Sequence, residues 1–301
     1  MKKYNYNENY FESIDSEKKA YILGFFYADG YNSDRQISFT QSDEDIDVLE
    51  KIRLEIGTEN PIVKVIRPIN NKLIDTLTYS SKKMCNDLTK LGAFRNKSLT
   101  LKFPDFLDYK LMNHFIRGYF DGDGCVWNGK RKKMTVKDNT RESGFRERIV
   151  HNVKFTFTGN YDFINSLQDY LVLIGVVSKK TKLNFSKAKN KNNTSENVCT
   201  MEYSGRKQLK NLYNFMYSEA TIYMDRKKLK FEEIFCASGE KSSEDTSLIA
   251  GTPETAISSE VSNVEERSST IPEMGVESSD SKCETPNSYE KGEDIVSSTI
   301  K

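Results

Sequence analysis

Apolar residues cluster in two short segments of the chain that share one pattern. The first segment reads I-L-G-F-F-Y-A-D-G from Ile22 to Gly30, and the second reads I-R-G-Y-F-D-G-D-G from Ile116 to Gly124. An apolar run that stops at glycine predicts a helix, because glycine enters the left-handed cap conformation without a steric cost. We therefore expect two helices with Asp29 and Asp123 at their carboxyl ends.

Small residues recur at a spacing of four inside both predicted helices, so each helix has a smooth stripe that another backbone can approach closely. If the two stripes face each other, the helix ends converge and Asp29 comes to lie beside Asp123. Two carboxylates at negative helix ends repel each other unless a cation lies between them, and oxygen-only ligands favour magnesium. The predicted interface residues are Gly24, Ala28, Gly118 and Gly122.

The sequence that follows each motif also repeats. Residues 36–57 and 154–175 each read as an alternating strand, an amphipathic helix and a terminal glycine, and their apolar positions coincide when the glycines are aligned. Residues 79–88 and 203–212 form a further matching pair, a strand end that enters a helix. Internal duplication of a whole unit explains these coincidences better than chance does.

The duplication predicts an α+β fold of two pseudo-twofold-related units. Each unit should run αββαββα, with helices on one face of an antiparallel sheet and the other face open. We expect the first unit at residues 1–100 and the second at residues 101–236. Residues 237–301 are rich in Ser, Glu and Thr and contain one aromatic residue, which predicts a disordered tail.

Charge is distributed unevenly along the chain. The chain has 45 Lys and Arg residues, of which residues 237–301 hold five, and 44 Asp and Glu residues, of which they hold fourteen. The chain before residue 237 therefore has 40 basic and 30 acidic residues, a net charge of +10. Such an excess attracts polyanions, and nucleic acid phosphates are the commonest of these. The candidate contacts lie on the open sheet faces and in two basic runs: Gln36, Ser38, Thr40, Lys64, Arg67, Lys130, Arg131, Lys132, Lys133, Lys154, Thr156, Lys179, Lys180 and Lys182.

Several classes of protein are excluded by composition. Five cysteines with no C-x-x-C pair argue against disulfides and against a zinc site, and two histidines are too few for a histidine-metal nuclease. No Walker A or dinucleotide-binding glycine loop is present. The polar N-terminus and the lack of a long apolar run lead us to expect a soluble, intracellular protein with no membrane partner.

The two motifs, their spacing and the string from Leu91 to Pro104 resemble the LAGLIDADG homing endonucleases of the single-chain, two-motif kind. The resemblance covers roughly residues 10 to 236. It implies that the motif helices pack at a pseudo-twofold interface and that Asp29 and Asp123 bind divalent metal, Mg²⁺ or Mn²⁺. Ala28 and Gly122, the preceding residues, belong to the same implied metal site.

The resemblance further implies a function. The two sheets would form a saddle over a long, specific duplex DNA site, and the enzyme, a monomer, would make a staggered double-strand break by metal-dependent phosphodiester hydrolysis. Such cutting would promote mobility of the host intron. The implied setting is a bacterial or phage cytoplasm, a mitochondrion or a chloroplast.

The family also places a glutamine and a lysine near the attacking water in each half. Gln41 matches the glutamine position in the first half, whereas Gly159 occupies it in the second. Lys97 and Lys227 are the candidate catalytic lysines, with Lys82, Lys83, Arg206, Lys207 and Lys228 as alternatives. Tyr27 stands where the first Asp of the motif usually stands, a departure that leaves the expected metal ligand in place.

Two other functions remain open at this stage. A maturase of the same family would use the basic saddle to hold intron RNA and assist splicing. A non-catalytic DNA-binding regulator could be built on the same scaffold. Acids in both motifs argue against the regulator, because binding alone gives no reason to keep two mutually repelling carboxylates.

Overall fold

The computed structural model describes residues 4–57, 59–67, 71–137, 145–185 and 197–236, with the backbone alone for residues 131–137 and 145–148. The predicted tail, residues 237–301, lies outside the described residues. The helices are α1 Glu17–Asp29, α2 Ile46–Ile56, α3 Lys82–Lys90, α4 Tyr109–Asp123, α5 Tyr161–Leu173, α6 Arg206–Tyr217 and α7 Asp225–Cys236. The strands are β1 Gly30–Asn32, β2 Ile37–Gln41, β3 Ile62–Arg67, β4 Lys72–Tyr79, β5 Gly124–Lys137, β6 Phe145–Asn160, β7 Asn184–Phe185 and β8 Val198–Ser204.

The described elements form two antiparallel four-stranded sheets with the same topology. The strand orders are β1-β2-β4-β3 and β5-β6-β8-β7. Even the register repeats: Ile37 pairs with Tyr79 in the first sheet, as Phe155 pairs with Tyr203 in the second. The predicted α+β fold with a repeated αββαββα order is confirmed, and α7 is an additional helix that follows the second repeat.

One continuous hydrophobic core lies between the helices and the sheets. Alternate residues of each central strand enter it, among them Ile37 and Phe39 from β2 and Phe155 and Phe157 from β6. The opposite rows of these strands, such as Ser38 and Thr40, face away from the helices, because successive side chains of a strand alternate between faces.

Two kinds of glycine end the helices, and the prediction was right for only one. Gly57 and Gly175, after α2 and α5, have φ of +69° and +73°, the left-handed conformation that favours glycine. Gly30 and Gly124, after α1 and α4, have φ of −81° and −86°, so the expected left-handed cap is wrong there. Both are glycine for a steric reason, since an added Cβ would lie 2.2 Å from the ring of Phe26 or Phe120.

The small-residue stripes bring α1 and α4 into backbone contact. A Cβ added at Gly24 would lie 2.0 Å from the carbonyl oxygen of Phe115, and one at Gly118 would lie 2.0 Å from that of Tyr21. Side chains larger than hydrogen do not fit at either position. The two helices therefore cross at the glycines that the motif spacing had singled out.

No helix in the described parts of the chain is long and apolar enough to cross a membrane.

Candidate active site

The close crossing of α1 and α4 brings their two terminal aspartates together. At Gly122, an added Cβ would lie 2.2 Å from Cβ of Ala28 and 3.1 Å from Oδ2 of Asp29, so the end of α4 rests against the end of α1. β1 and β5 leave from the following residues. The convergence of the two carboxylates that the stripes predicted is thus present in the structure.

Both carboxyl groups are hard to ionise in this position. Burial raises the pKa of Asp29, against the opposing effects of Gln41, Lys227 and Lys97. Asp123 is exposed by surface area, yet desolvation by neighbouring protein atoms, together with the charge of Asp29, raises its pKa to about 6. Two neighbouring carboxyl groups whose pKa values are both raised are suited to sharing a cation.

Gln41 binds the first carboxylate directly. The Gln41 side chain lies on the helix-facing row of β2 and donates a hydrogen bond from Nε2 to Oδ2 of Asp29 at 2.6 Å. Such a bond to a charged acceptor is short and fixes the orientation of the carboxylate. A glutamine at this position therefore orders the acid of its own repeat.

The second repeat cannot hold a glutamine in the same way. An added Cβ at Gly159 would lie 2.5 Å from the hydroxyl oxygen of Tyr119, which donates a hydrogen bond to the carbonyl of Thr158 at 2.8 Å. In the first repeat the position of Tyr119 is held by Phe25, which has no hydroxyl group. The Tyr119 hydroxyl occupies the space beside Gly159, so the two acids have different surroundings.

Lys97 and Lys227 are both buried at the helix ends, at 6% and 7% exposure. Lys97 donates a hydrogen bond from Nζ to the carbonyl of Gly30 at 2.5 Å, and burial lowers its pKa to about 8 despite the nearby aspartates. Lys227 donates to the carbonyls of Phe120, Asp121 and Gly122 at 2.8, 2.5 and 3.0 Å, and burial also lowers its pKa.

Lys97 and Lys227 therefore differ in the number of carbonyl groups that they bind, one and three. An ammonium group has three protons, and Lys227 directs its Nζ at three carbonyl oxygens of the last turn of α4. Of the alternatives, Lys83 pairs with Glu12 and Asp87, Lys228 pairs with Glu232, and Arg206 binds the carbonyl of Ile234. Lys82 and Lys207 are exposed.

An ion pair between the repeats anchors the segment that carries Lys227. Arg226 binds both carboxylate oxygens of the buried Asp45, from Nε and Nη2, at 2.7 Å each. Lys51 of α2 adds contacts to Asp225 and to the carbonyl of Tyr223, both at 2.7 Å. The sequence analysis missed this anchor, since no local pattern links residues about 180 positions apart.

A buried polar cluster also connects α1, α4 and the segment before α7. Asp121 accepts hydrogen bonds from the hydroxyls of Tyr21 and Tyr217 and from the backbone N–H of Met224, each at 2.8 Å. The fully buried Arg117 donates to Glu17 at 2.7 Å and to backbone carbonyls of Met216 and Ile222. These residues connect α1 and α4 to the segment before α7, and the motifs gave no signal for Arg117.

The candidate DNA contacts are divided between the two sides of the first sheet. Arg67 shares the open row of β3 with Val63 and Val65. Lys64 is three residues before Arg67 and therefore lies on the helix-facing row of β3. It pairs with Asp43 and, at 3.6 Å, with Asp75. The prediction that Lys64 faces the open side was wrong, because a residue three positions along a strand points to the opposite face.

The remaining candidates are placed as follows. Gln36 is exposed just before β2, and Ser38 and Thr40 lie on its open row. On β6, Lys154 and Thr156 lie on the open row, and Lys154 pairs with Glu202 at 2.6 Å. Lys130 is exposed on β5, and the side chains of Arg131, Lys132 and Lys133 lie outside the described part of the structure. Lys179 and Lys182 are exposed, whereas Lys180 pairs with Asp169 of α5, in the helical layer.

Among the described residues, no group of three or more His, Cys, Asp or Glu side chains could hold a metal ion. The candidate centre there is a pair of carboxylates, Asp29 and Asp123, with backbone carbonyls beside them.

Residues 110–214 match a family model described as a LAGLIDADG-like domain. This part of the chain is similar to LAGLIDADG-like domains. The match begins in α4 and ends in α6, so it spans the second repeat. The family resemblance is confirmed over residues 110–214, which contain the second motif, and Asp29 ends α1, the equivalent helix of the first repeat.

Two DNA polymerases are similar in sequence. That of Acanthamoeba polyphaga mimivirus is 27% identical over 209 residues, 62% of this chain and 11% of the polymerase. That of Methanocaldococcus jannaschii is 28% identical over 142 residues, 44% of this chain and 9% of the polymerase. The chain spans about a tenth of the length of these relatives, so polymerase activity does not follow for it.

The matches among solved structures include two LAGLIDADG homing endonucleases. The I-LtrWI homing endonuclease bound to target DNA has a TM-score of 0.44 and 13% identity, over 87% of this chain and 99% of that one. The I-SmaMI homing endonuclease bound to cleaved DNA has a TM-score of 0.44 and 11% identity, over 84% of this chain and 96% of that one. At these values no residue role is carried over from either protein.

Proposed function

We propose that this chain is a site-specific DNA endonuclease that makes a staggered double-strand break by metal-dependent phosphodiester hydrolysis. The observation that carries the proposal is the pairing of Asp29 and Asp123 at the converging ends of α1 and α4, in a protein whose residues 110–214 match a LAGLIDADG-like domain. Two equivalent helix ends on a pseudo-twofold axis suit a substrate with two antiparallel strands. A single chain that supplies both halves would act as a monomer.

The residues present fit Mg²⁺ or Mn²⁺. Asp29 and Asp123 offer only oxygen ligands, and the charge of Asp29 raises the pKa of Asp123, so a cation would relieve their repulsion. The carbonyl of Gly122 accepts one hydrogen bond from Lys227 and keeps a second lone pair, and the carbonyl of Ala28 is its counterpart on α1. A bound divalent cation lowers the pKa of an attacking water and stabilises a leaving 3′ oxygen.

The chain's own residues divide the remaining work. Gln41 orients Asp29 through its 2.6 Å hydrogen bond. Lys97, whose pKa is about 8, exchanges its proton near neutral pH and can hold a proton beside the attacking water. Lys227 fixes the last turn of α4 and so positions Asp123, a supporting role rather than that of a base.

The open faces of the sheets are the proposed DNA contacts. Their strands carry Ser38, Thr40 and Arg67 in the first repeat and Lys154 and Thr156 in the second, and the chain before residue 237 has a net charge of +10. Positive charge would hold the phosphate backbone, and the strands would meet base edges. We propose that this cutting serves the mobility of a host intron.

The experiment is to incubate the purified chain with the intronless allele of its insertion site and Mg²⁺, and to map any cut ends. The proposal requires two cuts, one in each strand, and none when EDTA is present. Tight duplex binding without cutting in Mg²⁺ or Mn²⁺ would support the regulator instead. Preferential binding of intron RNA with accelerated splicing would support the maturase.

A further inference from the structure

The open face of the first sheet carries apolar and hydroxyl side chains. Val63 and Val65 of β3 lie opposite Thr76 and Ile74 of β4, on the row that points away from the helices. Both valines are solvent-accessible, at 50% and 43% exposure. Among the described residues of β2, β3 and β4, no carboxylate or side-chain amide lies on this open row.

These side chains form a groove rather than a flat surface. The groove has a volume of about 480 Å³, with Val63, Val65, Thr76 and Thr78 on its floor and Tyr4, Tyr6, Asn60, Pro61 and Ser80 completing its lining. Arg67 lies at the far end of the same row, opposite Lys72. An apolar floor with positive charge at its end matches a DNA groove edge, where apolar base substituents lie between phosphates.

The corresponding face of the second sheet has different chemistry. Lys154 of β6 lies opposite Trp127 of β5 and Ser204 of β8, and its Nζ pairs with Glu202 at 2.6 Å. Asn152 lies on the same row of β6, opposite Gly129. This face therefore presents a charged donor, a charged acceptor and an amide, whereas the centre of the first face presents the methyl groups of Val63, Val65 and Ile74.

We infer that the first sheet selects thymine and the second a G·C pair, an inference that rests on the proposed function. The first sheet selects thymine, because the 5-methyl group of thymine is the apolar substituent on base edges in the major groove. The second sheet selects a G·C pair, because lysine donates to O6 and N7 of guanine and glutamate accepts from N4 of cytosine. The adjacent Lys154 and Glu202 face both bases of one such pair.

The test begins by selecting bound duplexes from a randomised pool with the full chain in Ca²⁺. One half of the selected site should be rich in thymine, and the other should contain at least one fixed G·C pair. Deoxyuridine then replaces thymidine in each half separately, which removes the methyl group and nothing else. Affinity should fall about fourfold for each contacted methyl group in the thymine-rich half.

Two matched variants assign the halves to the sheets. Val65→Asn should change the selected base from thymine to adenine at one position of the thymine-rich half, because asparagine bonds to N6 and N7 of adenine. Lys154→Met should relax the fixed G·C pair in the other half and leave the thymine-rich half unchanged. Both side chains are solvent-accessible, and thermal unfolding of each variant checks that the fold is intact.

The outcomes separate the inference from the proposed function. Failure to select any duplex would overturn the proposed function. Selection of a site in which deoxyuridine has no effect, or has the same effect in both halves, would overturn the inference alone. A methyl effect confined to the half that Val65→Asn alters would support both.

Discussion

Gly118→Ala should destabilise the protein, although alanine is the better helix former. The new Cβ would lie 2.0 Å from the carbonyl oxygen of Tyr21 and 2.8 Å from the backbone nitrogen of Phe25. Since Cβ atoms essentially never approach other atoms within 3.0 Å, α1 and α4 must separate by about 1 Å at the crossing. Both neighbours are backbone atoms, so no side chain can move aside.

The expected size follows from two opposing effects. Overpacking against backbone costs about 3 kcal/mol, at the upper end of its usual range. The change from glycine to alanine within a helix returns about 1 kcal/mol. The net loss of about 2 kcal/mol corresponds to a fall in Tm of about 4 to 8 °C for a folded body of this size.

The assay is thermal and urea unfolding of the variant beside three companions. Gly24→Ala, whose new Cβ would lie 2.0 Å from the carbonyl oxygen of Phe115, should cost about as much. The double variant should cost less than the two single variants together, because one separation of the helices relieves both clashes. Lys110→Ala, at an exposed position of α4, should change the free energy of unfolding by less than about 0.5 kcal/mol. A Gly118→Ala protein as stable as the wild type, or more stable, would refute the reasoning.

Three further predictions concern the acids and their neighbours. The folded-state pKa of Asp123 is raised to about 6, so its charge destabilises the metal-free protein above that pH. Asp123→Asn should therefore raise Tm at pH 7.5, and the gain in Tm should vanish as the pH falls from 6 to 4. A gain in Tm that is independent of pH would contradict this. Gln41→Ala should slow the cutting of one strand about tenfold more than the other, as measured with each strand labelled separately, and equal slowing would remove the inferred asymmetry. Arg226→Gln should lower kcat about tenfold with KM nearly unchanged, because the segment that carries Lys227 loses its anchor. Arg226→Lys should recover part of the rate. A change in KM alone would contradict a positioning role.

The motif pattern was enough to predict the helix crossing and the meeting of the two acids. Glycines at a spacing of four, followed by Asp-Gly, left few ways to bury two such helices, and the repeated flanks predicted two like sheets. The structure has Gly24 and Gly118 at the crossing and Asp29 beside the end of α4. Local periodicity and duplication therefore contain most of the information on this fold.

What the sequence did not reveal depends on long-range packing. The Arg226–Asp45 pair joins residues far apart in the chain, and the reason for Gly159 becomes visible only when the Tyr119 hydroxyl is seen beside it. Lys64 was placed on the wrong face because it was grouped with Arg67, although residues three positions apart on a strand point to opposite faces.

The central claim is that Asp29 and Asp123 form one cation-dependent centre that cuts DNA. The most direct measurement compares wild type, Asp29→Asn and Asp123→Asn on one bound duplex site, with affinity measured in Ca²⁺ and strand cutting measured after the change to Mg²⁺. Wild type should cut both strands, and each Asn variant should bind within about tenfold of wild type and cut neither strand, because a ligand charge is lost while the helix crossing is kept. Undiminished cutting by either Asn variant would contradict the claim.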